Sequence, residues 1–480
     1  MSKREKKEKL SSAEGSQDKL GGGMIMSYGG AAVTANISNN LRSTYHMSFL
    51  SDVVKLDVGF VGGFTTILSI WNALIKPIVG TIIDRTNTSM GRYRPWILIG
   101  SILYSLLGVL LFIIPSGLNK AALATFYIVV LFVYYAAQTF FVMPWQAFNA
   151  TLSRDSHQRN RILVARQVGG YVASFAVALV LMRVIESFPQ ESTGWAVVGI
   201  GVGIISLACG LQFFFTTKKY DVPVSSEAAK KEKRSIIEQI KLAINNKALV
   251  TSSLTLGLIY LTSMITSTSS MYYYRGVLGS TDPVSLIAIA NMLACFVVVP
   301  FIPKILKKIS KTKLIVIFVL IDALTIPYNI YMRHIFLAKD YVVSNFALYS
   351  YVGVYTLSTV GFILAQTGAN ALAVDVTDYT EWKFGTVDAG FVTSVTSMVR
   401  NLLGGLSTGI VGALLAMVNY TGYDALTYEI KSMIINIQIF PKAAIIVLVL
   451  VLVALYPIKG EFEKKMRAEL KERRESAAKA

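Results

Sequence analysis

Runs of about twenty apolar residues recur along the whole chain, each long enough to cross a bilayer as an α-helix. Such a run must be helical in lipid, because hydrocarbon offers no partner to a backbone amide or carbonyl. Twelve spans are expected, at about 24–50, 58–83, 95–115, 121–149, 162–184, 194–217, 248–275, 283–303, 313–332, 343–374, 387–418 and 436–457. The composition agrees. The chain is 54% hydrophobic and 15% charged, where a soluble domain carries roughly a quarter charged residues.

A formal net charge of +18 raises the possibility of a nucleic-acid partner, and its placement argues against one. Five basic residues lie in 1–9, eight in 218–247, five in 304–313 and eight in 459–479, with three each in 84–94 and 154–161. With twelve spans these segments fall on one side, which is the positive-inside pattern with both termini cytoplasmic. No nucleic-acid binding is expected, and the bilayer is the partner implied. The opening MSKREKKEK leads into a span too long and polar for the core of a signal peptide, so no cleavable leader is expected. Cys209 and Cys295 sit inside apolar spans, with no metal-type Cys/His spacing, and read as small packing residues. The three histidines, His46, His157 and His334, are scattered, and no nucleophile motif accompanies them. A membrane-embedded enzyme is therefore not expected, nor is any cofactor or metal.

The only long polar stretch between the ends is KKYDVPVSSEAAKKEKRSIIEQIKLAINNK, and it divides the spans six and six. The loop GTIIDRTNTSMGRYRPW after the second span has a positional counterpart, PKILKKISKTK, after the eighth. Two six-helix halves are the arrangement of the major facilitator fold, an all-α membrane architecture. The expected organisation is a basic tail (1–23), an N-terminal bundle (24–217), a connector (218–247), a C-terminal bundle (248–457) and a second basic tail (458–480). Asp84 and Arg85, followed by Gly91, Arg92 and Arg94, form a charged loop suited to pinning helix ends and releasing them as the halves move.

Three strings carry a family resemblance: SDVVKLD, DRTNTSMGRYRPWILIGS and DVTDYTEWKFG, the last placed after the tenth span. With them the chain, from Ser27 to about Tyr456, resembles the glycoside–pentoside–hexuronide cation symporters typified by the melibiose permease. The resemblance implies a symporter for small glycosides in the cytoplasmic membrane, working by alternating access. It places Asp375, Asp378 and Glu381 with the loop residues in a cytoplasmic gate. It also implies a cavity arginine at Arg166 and a cation at Arg400 where the family has lysine.

The family's acids are replaced. Sodium-coupled members carry two carboxylates one turn apart in span two, where this chain has Asn72 and Lys76. Val142 stands where a third acid often precedes the span-four proline, and Asn36 where the sugar-binding acid of span one would be. A hard cation needs several oxygen ligands, and an ammonium group at its position repels it. Lys76 lies about 12 Å from the helix end at Asp84 by the 1.5 Å rise per residue. It can snorkel to the interface, stand in for the coupling ion, carry a proton, or bind a substrate carboxylate. With Arg42, Arg166 and Arg400 it suggests attraction of an acidic saccharide such as a hexuronide. Asp322 in the ninth span is the main unexplained intramembrane acid and could pair with one of these four cations.

Asn36, Asn40 and Ser43 recur at i, i+4 and i+7, one face of a helix whose amides and hydroxyl suit sugar hydroxyls. The resemblance adds Trp145 and Gln146 near the family's stacking aromatic, and Gln366 and Thr396 in spans ten and eleven. The reading is a monomeric, sodium-independent importer of a small sugar or glycoside. A proton-coupled or uncoupled carrier of a neutral glycoside and a non-transporting sugar sensor stay open as alternatives.

Overall fold

The computed structural model describes residues 21–152, 156–220, 243–298, 301–337, 344–385, 389–423 and 426–479. Most of the two expected basic segments at 1–23 and 218–247 lie outside them. The described chain is helical: α1 Gly22–Ser48, α2 Val58–Arg85, α3 Arg94–Leu110, α4 Lys120–Leu152, α5 Ser156–Glu186 and α6 Glu191–Thr216. There follow α7 Lys247–Tyr273, α8 Asp282–Val298, α9 Ile302–Lys308, α10 Lys311–Ala323 and α11 Thr325–Phe336. The last are α12 Asn345–Phe384, α13 Ala389–Ala416, α14 Tyr428–Ile437, α15 Phe440–Leu455 and α16 Gly460–Lys479. Among the described residues nine helical segments are long and apolar enough to cross a membrane, and Arg94–Leu110 and Asp282–Val298 are shorter apolar helices.

Two departures from the expected spans matter. The ninth is two helices, α10 and α11, interrupted at Leu324, and the twelfth is α14 and α15, interrupted at Gln438 and Ile439. The string DVTDYTEWKF is not a connection beyond the tenth span. It forms the last turns of the 40-residue α12, which stops at Gly385, whose φ of 67° is the left-handed conformation that closes helices.

The fold divides into two compact units, Met1–Phe49 with Leu74–Lys230, and Leu50–Ala73 with Lys231–Ala480. The first half of α2 thus groups with the later helices, although the sequence places it in the first bundle. Within the first unit α1 packs on α5 and α6, and α3 on α4 and α6. Within the second, α7 packs on α13 and α15, and α10 on α12 and α15. With α10 as ninth span and α15 as twelfth, these pairings repeat six spans apart, as duplicated halves require.

Without water between helices, association in lipid rests on close packing of small residues. A Cβ on Gly62 of α2 would lie 2.7 Å from the Thr408 carbonyl oxygen and 2.9 Å from Gly412 Cα on α13. Only glycine allows those two backbones to touch.

Candidate functional site

In the first unit the polar face of α1 is real and partly committed. Asn36 Nδ2 donates back to the Ala32 carbonyl at 2.7 Å, and Asn40 Nδ2 donates to Ser174 Oγ on α5 at 2.7 Å. Ser43 Oγ donates to the Asn40 carbonyl at 3.4 Å. All three are half-buried. Beside them Arg42 donates to Tyr135 Oη at 3.0 Å and to Asn39 Oδ1 at 3.1 Å, and Gln138 donates to the same Asn39 oxygen at 3.3 Å.

The Arg166 guanidinium lies 5.1 Å above the Trp145 ring. That ring is 2% exposed and packed with Tyr28, Phe141, Phe148 and Phe213, so it is core and presents no open face for a sugar to stack on. Tyr28 Oη holds the helix behind it by donating to the Trp145 carbonyl at 3.1 Å. Its neighbour Gln146 is exposed, one residue round the helix. On α2, Asn72 and Lys76 are half-buried and one turn apart, hence on one face, and α2 continues through Pro77.

In the second unit Thr396 is buried, sharing a 3.0 Å hydrogen bond with Ser253 Oγ on α7. Its role there is to tie α13 to α7. Arg400, one turn further on, sits 5.4 Å over the Tyr260 ring, and its Nε is buried with no hydrogen-bond acceptor among the described residues. A guanidinium with an unused, desolvated donor is suited to a planar anion. Gln366 on α12 is half-buried.

The charged loop after α2 is compact. Thr88 bridges to Gly91, Trp96 Nε1 donates to Thr86 Oγ1 at 2.8 Å, and Arg92 Nε donates to the Ile83 carbonyl at 3.4 Å. Arg94 is buried, donating to the Phe214 carbonyl at 3.4 Å and lying 4.5 Å over that ring. Arg85 is exposed, and the Asp84 side chain lies outside the described residues. At the end of α12, Asp375 accepts from Lys311 at 2.5 Å and from Arg467 of α16 at 2.9 Å. Trp382 Nε1 donates to Glu469 Oε2 at 2.6 Å. Asp378 and Glu381 follow on the same helix, half-buried. The basic tail is thus a helix docked on the string read as a gate. Its Arg467 and Glu469 were missed because they look like ordinary tail charges.

Asp322 does not pair with Arg42, Lys76, Arg166 or Arg400. Its partner is Lys442 of α15 at 2.9 Å, each side chain 3% exposed or less. Sequence reasoning passed over Lys442 because it precedes a long apolar run and looks like an interface lysine. The interruption at Gln438 and Ile439, just before Pro441, was the available signal.

Residues 27–460 match the family described as MFS/sugar transport protein. The chain belongs to that family. Members of the MFS/sugar transport family are membrane transporters, and this chain is a multi-pass transporter rather than an enzyme. It is 25% identical to the uncharacterized symporter YnaJ of Bacillus subtilis (strain 168), over 93% of this chain and 94% of that one. Identity is also 25% with the isoprimeverose transporter of Lactiplantibacillus pentosus, covering 83% and 81% of the two chains. The lactose permease of Lactobacillus helveticus is 24% identical over 84% of this chain, which spans 64% of that longer protein. The fold is shared with the nucleoside transporter NupG at a TM-score of 0.58 and 12% identity, covering 91% of this chain and 98% of that one. It is shared too with a bacterial homologue of the human drug peptide transporters PepT1 and PepT2, at 0.64 and 11%, covering 92% and 99%.

Proposed function

We propose that this protein imports a small sugar or glycoside across the cytoplasmic membrane by alternating access, without sodium. The observation that carries the reading is the pair Asn72 and Lys76, one turn apart on α2 and half-buried, where a sodium site would need two carboxylates. Named relatives are a lactose permease, a raffinose carrier and an isoprimeverose transporter, which supports a saccharide as solute. In this reading Asn36, Asn40 and Ser43 meet sugar hydroxyls, and Gln146 in the first unit and Gln366 in the second are further candidate sugar contacts. Arg166 and Arg400 favour a carboxylate-bearing sugar, and Lys76 supplies the charge that sodium would otherwise bring. Twelve crossings with both termini cytoplasmic follow from the distribution of basic residues, and the working unit is the monomer.

The experiment is counterflow in proteoliposomes with methyl β-glucuronide, lactose and isoprimeverose as probes, with and without sodium. Exchange of at least one probe, unchanged by sodium, is expected. Strict sodium dependence would overturn the reading of Asn72 and Lys76. No exchange of any saccharide would overturn the assignment of the solute.

A further inference from the structure

We propose that the buried pair of Asp322 and Lys442 is the proton-binding site of this transporter, placed in the second unit and away from the family's ion-site positions on α2. The inference rests on the transport reading above and adds the coupling ion and its seat.

Both residues lie near the middle of their spans, Lys311–Phe336 and Tyr428–Leu455. An ion pair removed from water costs more in desolvation than it returns unless every donor and acceptor is met. Ionisable groups held inside a bundle at this depth are characteristic of ion pathways and proton relays. Here the satisfaction is one-sided. Asp322 Oδ1 accepts from Lys442 Nζ at 2.9 Å and from Ser358 Oγ at 2.5 Å, whereas Oδ2 is buried with no hydrogen-bond partner among the described residues. Lys442 Nζ also donates to Thr325 Oγ1 at 3.1 Å and faces the Tyr355 ring at 5.8 Å. A purely structural pair would gain from a donor on Oδ2. An oxygen left bare is the atom a proton can take without displacing a bond.

The backbone is prepared for change at the same place. α10 ends one residue after Asp322, and α15 begins two residues before Lys442, so both helices of the pair are interrupted beside it. Interrupted helices mark ion and substrate sites in secondary transporters, because the freed backbone can rearrange where a continuous helix cannot. A hydrogen-bonded chain runs beside the pair and meets it at Thr325, whose Oγ1 accepts from Lys442 and whose carbonyl accepts from Asn329 Nδ2 at 2.7 Å. Asn329 Nδ2 donates to Tyr355 Oη at 3.2 Å, Tyr355 Oη to Gln438 Oε1 at 3.4 Å, and Gln438 Nε2 to Ser269 Oγ at 2.5 Å. Helices α7, α11, α12 and the α14–α15 break are thereby linked through Thr325 to the pair.

Proton uptake converts the Asp322 carboxylate to a carboxylic acid, with the bond formed at Oδ2, and Lys442 stays an ammonium group. Its ion pair is dissolved, and the proton leaves to the other side when the pair re-forms. No other group changes charge. Among the described residues Lys442 on α15 is bonded to Asp322, Tyr355 on α12 lies within reach of its charge, and Tyr328 on α11 lies near Tyr355. Arg333, further along α11, is bonded to Ser432 and Asn436. From α7, Tyr273 reaches the network through Asn329 at 2.9 Å.

The test follows probe flux and internal pH together in proteoliposomes, using the three saccharides above. Wild type is expected to acidify the lumen as the probe enters. The variant Asp322→Asn with Lys442→Met, neutral and similar in volume, should lose that proton movement and keep counterflow. Asp322→Glu, which retains a carboxyl, should keep proton movement with a displaced pH midpoint. Asp52→Asn, a change at a second buried acid outside this network, should keep it unaltered. Saccharide entry by wild type without proton movement would overturn the proposal and leave the solute assignment standing. Persistent proton movement in the neutral double variant, or an Asp322→Glu pH profile equal to wild type, would overturn it as well. Absence of saccharide exchange by wild type would remove the transport reading and this inference with it.

Discussion

The Tyr420 hydroxyl donates a 2.7 Å hydrogen bond to Asp52, joining the π-helical turn Phe49–Val53 that follows α1 to the connection after α13, 368 positions along the chain. The contact is almost dry, with Asp52 8% and Tyr420 4% exposed. Burial pushes the Asp52 carboxyl up from 3.8 to about 7, against the hydroxyls of Tyr420, Tyr423 and Ser51 and the charge of Arg275.

A carboxyl raised in the folded state stabilises the fold below its unfolded value, and that contribution is lost as pH rises through the folded value. The Asp52 contribution to thermal stability should therefore decline from about pH 4 to about pH 7 and level off above. Thermal shift of wild type and Asp52→Asn in detergent, compared across this range, measures it as their difference. Parallel curves would show that folding leaves the Asp52 carboxyl at its ordinary value.

Restoring acids at the second span tests Lys76. Asn72→Asp with Lys76→Asp should introduce sodium-dependent binding of the saccharide, because two carboxylates one turn apart can share a cation. Lys76→Ala should alter uptake or its pH profile. A Lys76→Ala protein with wild-type uptake at every pH would make the residue a snorkelling lysine and nothing more.

The two arginines should discriminate by shape as well as charge. Arg400→Lys keeps the charge and loses the planar fork, so glucuronide binding is expected to weaken by roughly tenfold, about 1.4 kcal/mol, with lactose binding little changed. Equal losses for both probes in equilibrium binding would count against carboxylate recognition.

Packing at α2 and α13 is testable through glycine. In Gly412→Leu the new Cβ would meet the Val58 carbonyl at 2.8 Å and Gly62 Cα at 2.9 Å, so a loss of about 1–3 kcal/mol or more is expected. Gly63→Ala, where nothing lies within 4 Å, should be neutral or stabilise by up to about 1 kcal/mol through helix propensity. Melting temperatures of the two variants should move in opposite directions from wild type or differ by several degrees.

The docked tail gives a fifth handle. Asp375→Ala removes the acceptor shared by Lys311 and Arg467 and leaves Trp382–Glu469 as a remaining tie to α16. Limited trypsin digestion should then cut within 460–479 faster than in wild type. Unchanged cutting would place the docking energy in the Phe462 contacts with Tyr379 and Trp382.

The all-helical membrane class and the family could both be read from residue order, because apolar run length and the strings GRYRPW and DYTEWKFG are local properties of the chain. The polar stripe of α1 was legible for the same reason, being a matter of helical period. Which charges meet was not. Asp322 found Lys442 instead of a cavity cation, Trp145 turned into the core, and Asp52 was joined to Tyr420, because partners far apart in the chain are chosen by packing. Low-dielectric burial makes each such choice costly to leave unmade. Sequence alone therefore determined a helical sugar-family transporter and which ion-site acids it lacks. Tertiary structure decided where its remaining buried charges reside.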